Sequence, residues 1–240
     1  MKNKMNPLLL PAITSIALGF GSTANAAVVT WTSQGTITDE NVIQANVTSA
    51  FNLAGGSGTN VVTTTTQPVS FVNSNNSNTT VSNGITLTIV SGFNNGITSN
   101  VWDGTPVDLD FNTVMDGFAH SPGRSPGNGA FTLSGLTDGT EYSVQLFTSD
   151  TRDGIGNLRD IQFDDDLGNS TAAVLQSDKQ FFIGTFTAVG TSQAFNAVST
   201  NQGTSGSVIL NAATVSVIPE PSTALLGGLA ALLALLRRRR

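Results

Sequence analysis

The sequence predicts an all-β fold: a single β-sandwich or jelly roll with one short helix near residues 110–117. Three observations predict it. Apolar and polar residues alternate over many short stretches, Asn-Gly and Asp-Gly pairs separate those stretches, and one segment recurs at helical spacing instead. A hydrophobic segment at each end stands outside this pattern. The chain therefore divides into residues 1–26, a β-sandwich domain over 27–217, and residues 218–240.

The strands are read in order. Val29-Thr30-Trp31-Thr32 alternates, as does the run from Val47 to Leu53. Ile85-Thr86-Leu87-Thr88-Ile89 is the cleanest case, with three apolar side chains on one face and two threonines on the other. Strands are expected again from Phe131 to Leu133, Tyr142 to Phe147, Ile161 to Phe163, Phe181 to Thr187, Ser207 to Leu210 and Thr214 to Val217. The stretch from Asn73 to Thr80 reads as a polar loop. Asn83-Gly84, Asn95-Gly96, Asp103-Gly104, Asp138-Gly139 and Asp153-Gly154 read as turns, because Gly, Asn and Asp tolerate positive φ. Leu109, Phe111, Val114, Met115 and Phe118 fall at helical spacing, with Asp108 or Asp110 available as N-cap. One or two helical turns packed under a sheet edge are expected there.

Charge and composition exclude several function classes. Six of the ten basic residues lie in the terminal segments, so the central body keeps Arg124, Arg152, Arg159 and Lys179 against all 16 acidic residues, a net of −12. Such a surface repels nucleic acid and anionic lipid, which need basic patches. There is no cysteine, which removes thiol catalysis, thiolate-bound zinc and disulfide staples. His120 is the only histidine and sits in Ala119-His120-Ser121-Pro122-Gly123, without a nucleophile-elbow pattern. A multi-histidine metal site is impossible within one chain.

The remaining chemistry rests on carboxylates and aromatics. Asp164, Asp165 and Asp166 are candidate Ca²⁺ ligands, since carboxylates are what that ion prefers; their other reading is a solvated turn, or pairing with Arg152 and Arg159. No other cofactor is implied. Paired loop aspartates could also serve glycoside hydrolysis. A stacking platform for a sugar ring needs an exposed aromatic, for which Trp31 and Trp102 are the candidates. Trp102, in a turn-rich stretch, is the better placed of the two.

The ends carry an address. Lys2 and Lys4 precede a largely apolar stretch, and Ala24-Asn25-Ala26 fits the small-x-small cleavage pattern. Residues 1–26 thus read as a signal peptide cut between Ala26 and Ala27. At the other end Pro219-Glu220-Pro221 precedes an apolar run from Thr223 to Leu236 and then Arg237, Arg238, Arg239 and Arg240. As a helix that run reaches about 21 Å, against a hydrocarbon core of roughly 30 Å, which suits a temporary stop. The arginines snorkel to the headgroups and hold the cytoplasmic side.

Motif, apolar run and terminal arginine cluster together resemble the PEP-CTERM sorting signal of Gram-negative bacteria, over about a tenth of the chain. The resemblance implies an exosortase-type membrane enzyme cutting at or near Pro219-Glu220-Pro221. It also implies anchoring in the inner membrane before processing, then a cell-surface or extracellular location. The block from Phe131 to Phe147, with Arg152, residues 159–168 and Ile183 to Ala188, resembles the bodies of such proteins, which are similar to galactose-binding-like jelly rolls. In that block Leu133, Leu136 and Tyr142 are expected as core and corner residues. The combined expectation is a non-catalytic secreted or surface protein associated with exopolysaccharide or the cell envelope. The alternatives are a carbohydrate-binding module of the extracellular matrix and, behind it, a glycoside hydrolase using loop aspartates.

Overall fold

The computed structural model describes residues 26–98, 101–121, 128–152, 159–200 and 207–220. Among these the chain is all-β, with one α-helix. A seven-stranded sheet runs in the order β1 (Thr30–Thr36), β13 (Gln180–Thr187), β10 (Glu141–Thr148), β16 (Ala212–Val217), β2 (Ser49–Asn52), β4 (Pro68–Asn73), β3 (Thr59–Thr63). A six-stranded sheet runs β12 (Val174–Leu175), β11 (Asp160–Asp164), β14 (Ser192–Val198), β9 (Asn128–Ser134), β6 (Ile85–Ser91), β5 (Thr79–Ser82). A three-stranded sheet of β15 (Ile209–Leu210), β8 (Gly117–His120) and β7 (Asn94–Thr98) completes the fold. Described neighbours pair antiparallel except β2 and β4, which are parallel.

The two larger sheets share one core. Phe51, Leu146, Phe182 and Val215 of the first meet Leu87, Phe131, Phe163 and Phe195 of the second, all essentially without solvent contact. A second core lies on the opposite face of the seven-stranded sheet. There Ala50, Val62, Phe71 and Phe147 pack against Phe111, Val114 and Met115 of helix α1 (Leu109–Asp116). This explains why seven of the eight residues of β10 and all four of β2 are buried. A strand covered on both faces loses its polar alternation.

Helix α1 forms where the apolar spacing predicts, and Asp108 is its cap, accepting from Asp110 N at 2.8 Å and Phe111 N at 3.3 Å. Two of the expected apolar positions differ. Leu109 is exposed, and Phe118 belongs to β8 beyond the helix end. The helix ends where Gly117 turns extended and begins β8, and the backbone there passes too close to Ala54 for a side chain: a Cβ would lie 2.1 Å from that of Ala54. The buried Asn211 seals this end, donating to Met115 O at 2.7 Å and Gly117 O at 3.2 Å while accepting from Ser149 N at 2.7 Å.

Asn83-Gly84 makes the predicted two-residue hairpin between β5 and β6, with φ of 47° and 84°. Asn95-Gly96 does not turn; both residues lie within β7. Thr79 and Thr80 begin β5, so the polar loop is shorter than expected. Asp153-Gly154 lies outside the described residues. Tyr142 is the expected corner residue: its buried hydroxyl accepts from Thr137 N at 2.9 Å, and Leu133 and Leu136 are core.

Thr30 pairs with Thr185, Thr185 with Ser143, and Ser143 with Ser216. The start of β1 and the end of β16 therefore lie at the same end of the sheet, three strand spacings apart, or about 14 Å.

Candidate functional site

Edge strand β1 carries the half-buried Trp31. The register of β1 on β13 slips at this point, with Trp31 opposite Gly184 and Ser33 opposite Ile183, so Thr32 is an extra residue. Such a bulge re-aims its neighbours. The indole N–H donates to Asn169 O at 3.2 Å, and the ring leans on Phe163 and Phe195 with centroids 6.5 and 6.3 Å away. Gly184 lets the ring lie flat on the sheet, since a Cβ there would come within 2.9 Å of Trp31 Cε3. The indole lines a shallow groove with Gln34, Ser170, Thr171 and Phe182.

Ser170 also borders a polar hollow formed with Gln162, Asp164, Asp166 and Asn196, so the two depressions meet. Asn196 Nδ2 donates to Asp164 Oδ1 at 2.9 Å and to Asp166 Oδ1 at 3.2 Å, bridging the two carboxylates. An aromatic ring beside amides, hydroxyls and carboxyl groups supplies an apolar face with hydrogen-bond acceptors and donors around it.

Asp165 turns the other way. It is fully buried and accepts from Val29 N at 2.9 Å, Leu167 N at 2.9 Å, Asn169 N at 3.1 Å and Asn169 Nδ2 at 2.8 Å. Burial opposes its ionisation, but the N–H bonds from Val29, Leu167 and Asn169 outweigh that and hold its carboxyl below the usual range. This geometry does not gather Asp164, Asp165 and Asp166 around one point, as joint binding of Ca²⁺ requires. The chain leaves β11 after Asp164 and turns at Asp166, whose φ is 62°, and the Asp165 oxygens are committed to backbone and amide donors. Among the described residues no group of three or more acidic or histidine side chains is placed to hold a metal ion.

Trp102 is also corrected. It is 5% exposed, sits in the second core edge-to-face with Phe111 at 6.1 Å, and has Lys179 Nζ 5.6 Å from its ring centroid. Gly104 folds directly over it, since a Cβ there would fall 1.9 Å from the indole. No face is left for a ligand. Between the two tryptophans the structure favours the one on the sheet edge.

The arginines pair with Asp150, not with the three aspartates. The Asp150 side chain has no solvent contact and takes Arg152 through Nε at 2.8 Å and Nη2 at 2.9 Å, with Arg159 Nη1 at 2.8 Å. The Arg152 guanidinium lies 5.5 Å over Phe118, whose ring meets His120 edge-on at 5.8 Å. Burial, then the charges of Arg159 and Arg152, push the His120 pKa down. The sequence signal for this cluster was available, because three of the four basic residues of the body fall between 124 and 159; what it lacked was the distance to a partner.

Other loop carboxylates are held in structural roles as well. Asp108 accepts from Thr63 N at 2.7 Å besides capping α1, Asp110 accepts from Val61 N at 3.2 Å, and Asp103 pairs with Lys179 at 2.9 Å. At the chain ends, Ala26 is half-buried and Ala27 buried, whereas Pro219 and Glu220 are exposed just beyond β16. Pro221, the run from Thr223 to Leu236, Arg237 to Arg240 and residues 1–25 lie outside the described residues. No helix among the described residues is long and apolar enough to cross a membrane. Comparison of the chain with family models, curated proteins and solved structures gives no match.

Proposed function

We propose that the chain is an exported, non-catalytic surface or extracellular protein delivered by the terminal sorting signal, with its β-sandwich as the working body. One observation carries this reading. The last strand ends at Val217, and Pro219 and Glu220 follow at once in full solvent contact, so the motif begins where the packed body stops. A processing enzyme could engage it without disturbing either core. Replacing Pro219, Glu220 and Pro221 with alanine should leave the body folded but stop processing and change its location. Mass spectrometry of the chain recovered from membrane and medium reads the result, and unaltered processing and location would overturn the reading.

A second reading, of a carbohydrate-binding module, is favoured by the groove at Trp31. The half-buried indole can cover the apolar face of a pyranose ring while Gln34, Ser170 and Asn196 meet its hydroxyls. The packing of two sheets over one core also supports the jelly-roll reading of the body, although the parallel β2–β4 pair departs from a purely antiparallel roll. Retention on matrix polysaccharide that is lost in Trp31→Ala, in a variant that still melts cooperatively, is the expected result. Equal retention of both chains would remove the second reading and leave the first standing.

A further inference from the structure

We propose that strand β1 pairs with β1 of a second copy of the chain, antiparallel across a two-fold axis at Gly35, so that the seven-stranded sheets of two molecules join into one. The inference rests on neither functional reading above.

The two large sheets end in β1, β3, β12 and β5, and three of these edges are closed. On β3, Thr64 N donates to Gln67 O at 3.2 Å, so the antiparallel alternation turns the backbone groups of Thr63 and Val61 outward. Asp108 takes the Thr63 N–H at 2.7 Å and Asp110 that of Val61 at 3.2 Å. Carboxylates seated there bar a further strand. β12 is two residues long, too short to template another. β5 lies against β2, where Ser49 Oγ donates to Ser82 O at 2.9 Å and Ala50 N donates to Ser82 Oγ at 3.2 Å.

β1 has no such guard. Its residues, Thr-Trp-Thr-Ser-Gln-Gly-Thr, include no charge and no proline. Just past its end, Ile37 N donates to Lys179 O at 2.6 Å, which makes those two a hydrogen-bonded pair. By alternation Gly35 and Phe181 are bonded next, and Gln34 and Thr36 turn their N–H and C=O away from β13. No hydrogen bond from a described residue reaches those outward groups. The bulge at Thr32 interrupts the edge on the other side, leaving a regular ladder over residues 33–37 with Gly35 at its midpoint.

The occupant follows from this symmetry. The two open residues flank Gly35 equally, so a two-fold axis there sets Gln34 of one copy opposite Thr36 of the other, twice. Each pairing exchanges N–H···O bonds in both directions. The body is acidic, and this neutral strand is where two copies can approach without opposing charge. Phe181 adds apolar surface. It is half-buried, and its ring lies over Gly35, where a Cβ would come 2.9 Å from Phe181 Cζ. The bare glycines let both rings reach the axis, where pairing removes them from water. So small an interface belongs to weak, reversible dimers.

The test uses the full chain in detergent. The protein has no cysteine, so an introduced thiol reports only its own neighbours. Chains carrying Gln34→Cys and chains carrying Thr36→Cys are mixed and mildly oxidised. The mixture should form disulfide-linked dimers at least about tenfold faster than either variant alone, because only the mixed pair stands directly opposite, at a Cα spacing of about 5.5 Å that suits a disulfide. Thr63→Cys, on the closed β3 edge, controls for collisions within micelles. No linkage in the mixture, or linkage no faster than in the single variants and the control, would overturn the proposal. Sedimentation gives a second reading. The parent should pass from monomer to dimer as its concentration rises to about 100 μM. Gln34→Pro removes an outward N–H and spares the ladder to β13, so it should weaken association at least about tenfold. Equal association of a folded Gln34→Pro chain would overturn the two-fold at Gly35. A parent that stays monomeric throughout would overturn the proposal as well, and protection of the Gln34 and Thr36 amides from hydrogen exchange in that monomer would assign the edge to a segment of the same chain. The cysteine pair decides the matter should Gln34→Pro fail to fold.

Discussion

The backbone N–H of Val29 donates to Oδ2 of Asp165 across 136 positions of sequence, tying the leading edge of β1 to the loop that follows β11. The same carboxylate organises that loop through Leu167 and Asn169. A single buried side chain therefore fixes both where the first strand enters and how the six-stranded sheet turns.

Asp165→Ala should destabilise the body by roughly 2–4 kcal/mol, because it strands buried donors that a charged acceptor had satisfied. The pH dependence follows from the depressed carboxyl of Asp165. Its stabilisation is fully present above the unfolded-state value near 4 and is lost as pH falls through the lower folded value. Denaturant titrations at a series of acidic pH values should show a steeper acid limb for the parent chain than for Asp165→Asn.

Removing Asp150 should be costlier. Two guanidinium groups converge on one solvent-free carboxylate, and its loss leaves partly buried positive charge without a partner. Asp150→Ala is expected to lose about 3–5 kcal/mol. Urea melts followed by intrinsic fluorescence would show this, and an unchanged midpoint would deny the network its structural role.

Trp102→Ala and Trp31→Ala should behave differently. Trp102 is enclosed, so its truncation opens a cavity in the second core and costs roughly 3–5 kcal/mol. Trp31 lies on an edge strand with part of its ring already wet, so its truncation costs less and acts on the groove. Thermal melts of the two variants, run beside polysaccharide retention, separate the roles.

His120 gives the opposite end of the molecule its own pH response. Its folded-state pKa is lowered by burial and by Arg159 and Arg152, so the folded chain binds fewer protons than the unfolded one just below the ordinary histidine range. The stability it contributes is complete above about 6.5 and declines as pH falls through the lower folded value. His120→Gln should flatten the stability profile below about pH 6.5, as read by calorimetry across that acid range.

Much of the sandwich was legible in the sequence because threonine or serine alternates with apolar residues along β6, the end of β13 and β16. The strands that escaped notice did so for a physical reason. β14 places Gln193 at a fully buried position, so its inward face reads Gln, Phe, Ala and no longer looks apolar. β3 and β4 are rich in Thr, Asn and Ser, whose side chains face solvent at the far edge of the large sheet. The helix was legible from Phe111, Val114 and Met115 together with the cap at Asp108. The site was harder. Whether an aromatic is a platform or core depends on what folds over it, and Gly104 covers Trp102 by a local bend that composition does not reveal. Likewise the charge of Asp164, Asp165 and Asp166 is plain in the sequence, but which oxygens remain free depends on donors that arrive from Val29 and Asn196.

The start of β1 and the end of β16 lie at one end of the large sheet, and Asp150 lies beyond the opposite end of β10. Eight residues of extended chain separate those ends, roughly 26 Å at 3.3 Å per residue. Changes at the two chain ends therefore fall about one strand length away from the buried Asp150 cluster. Arg152 and Arg159 close that far end turned inward, their guanidinium groups engaged by Asp150.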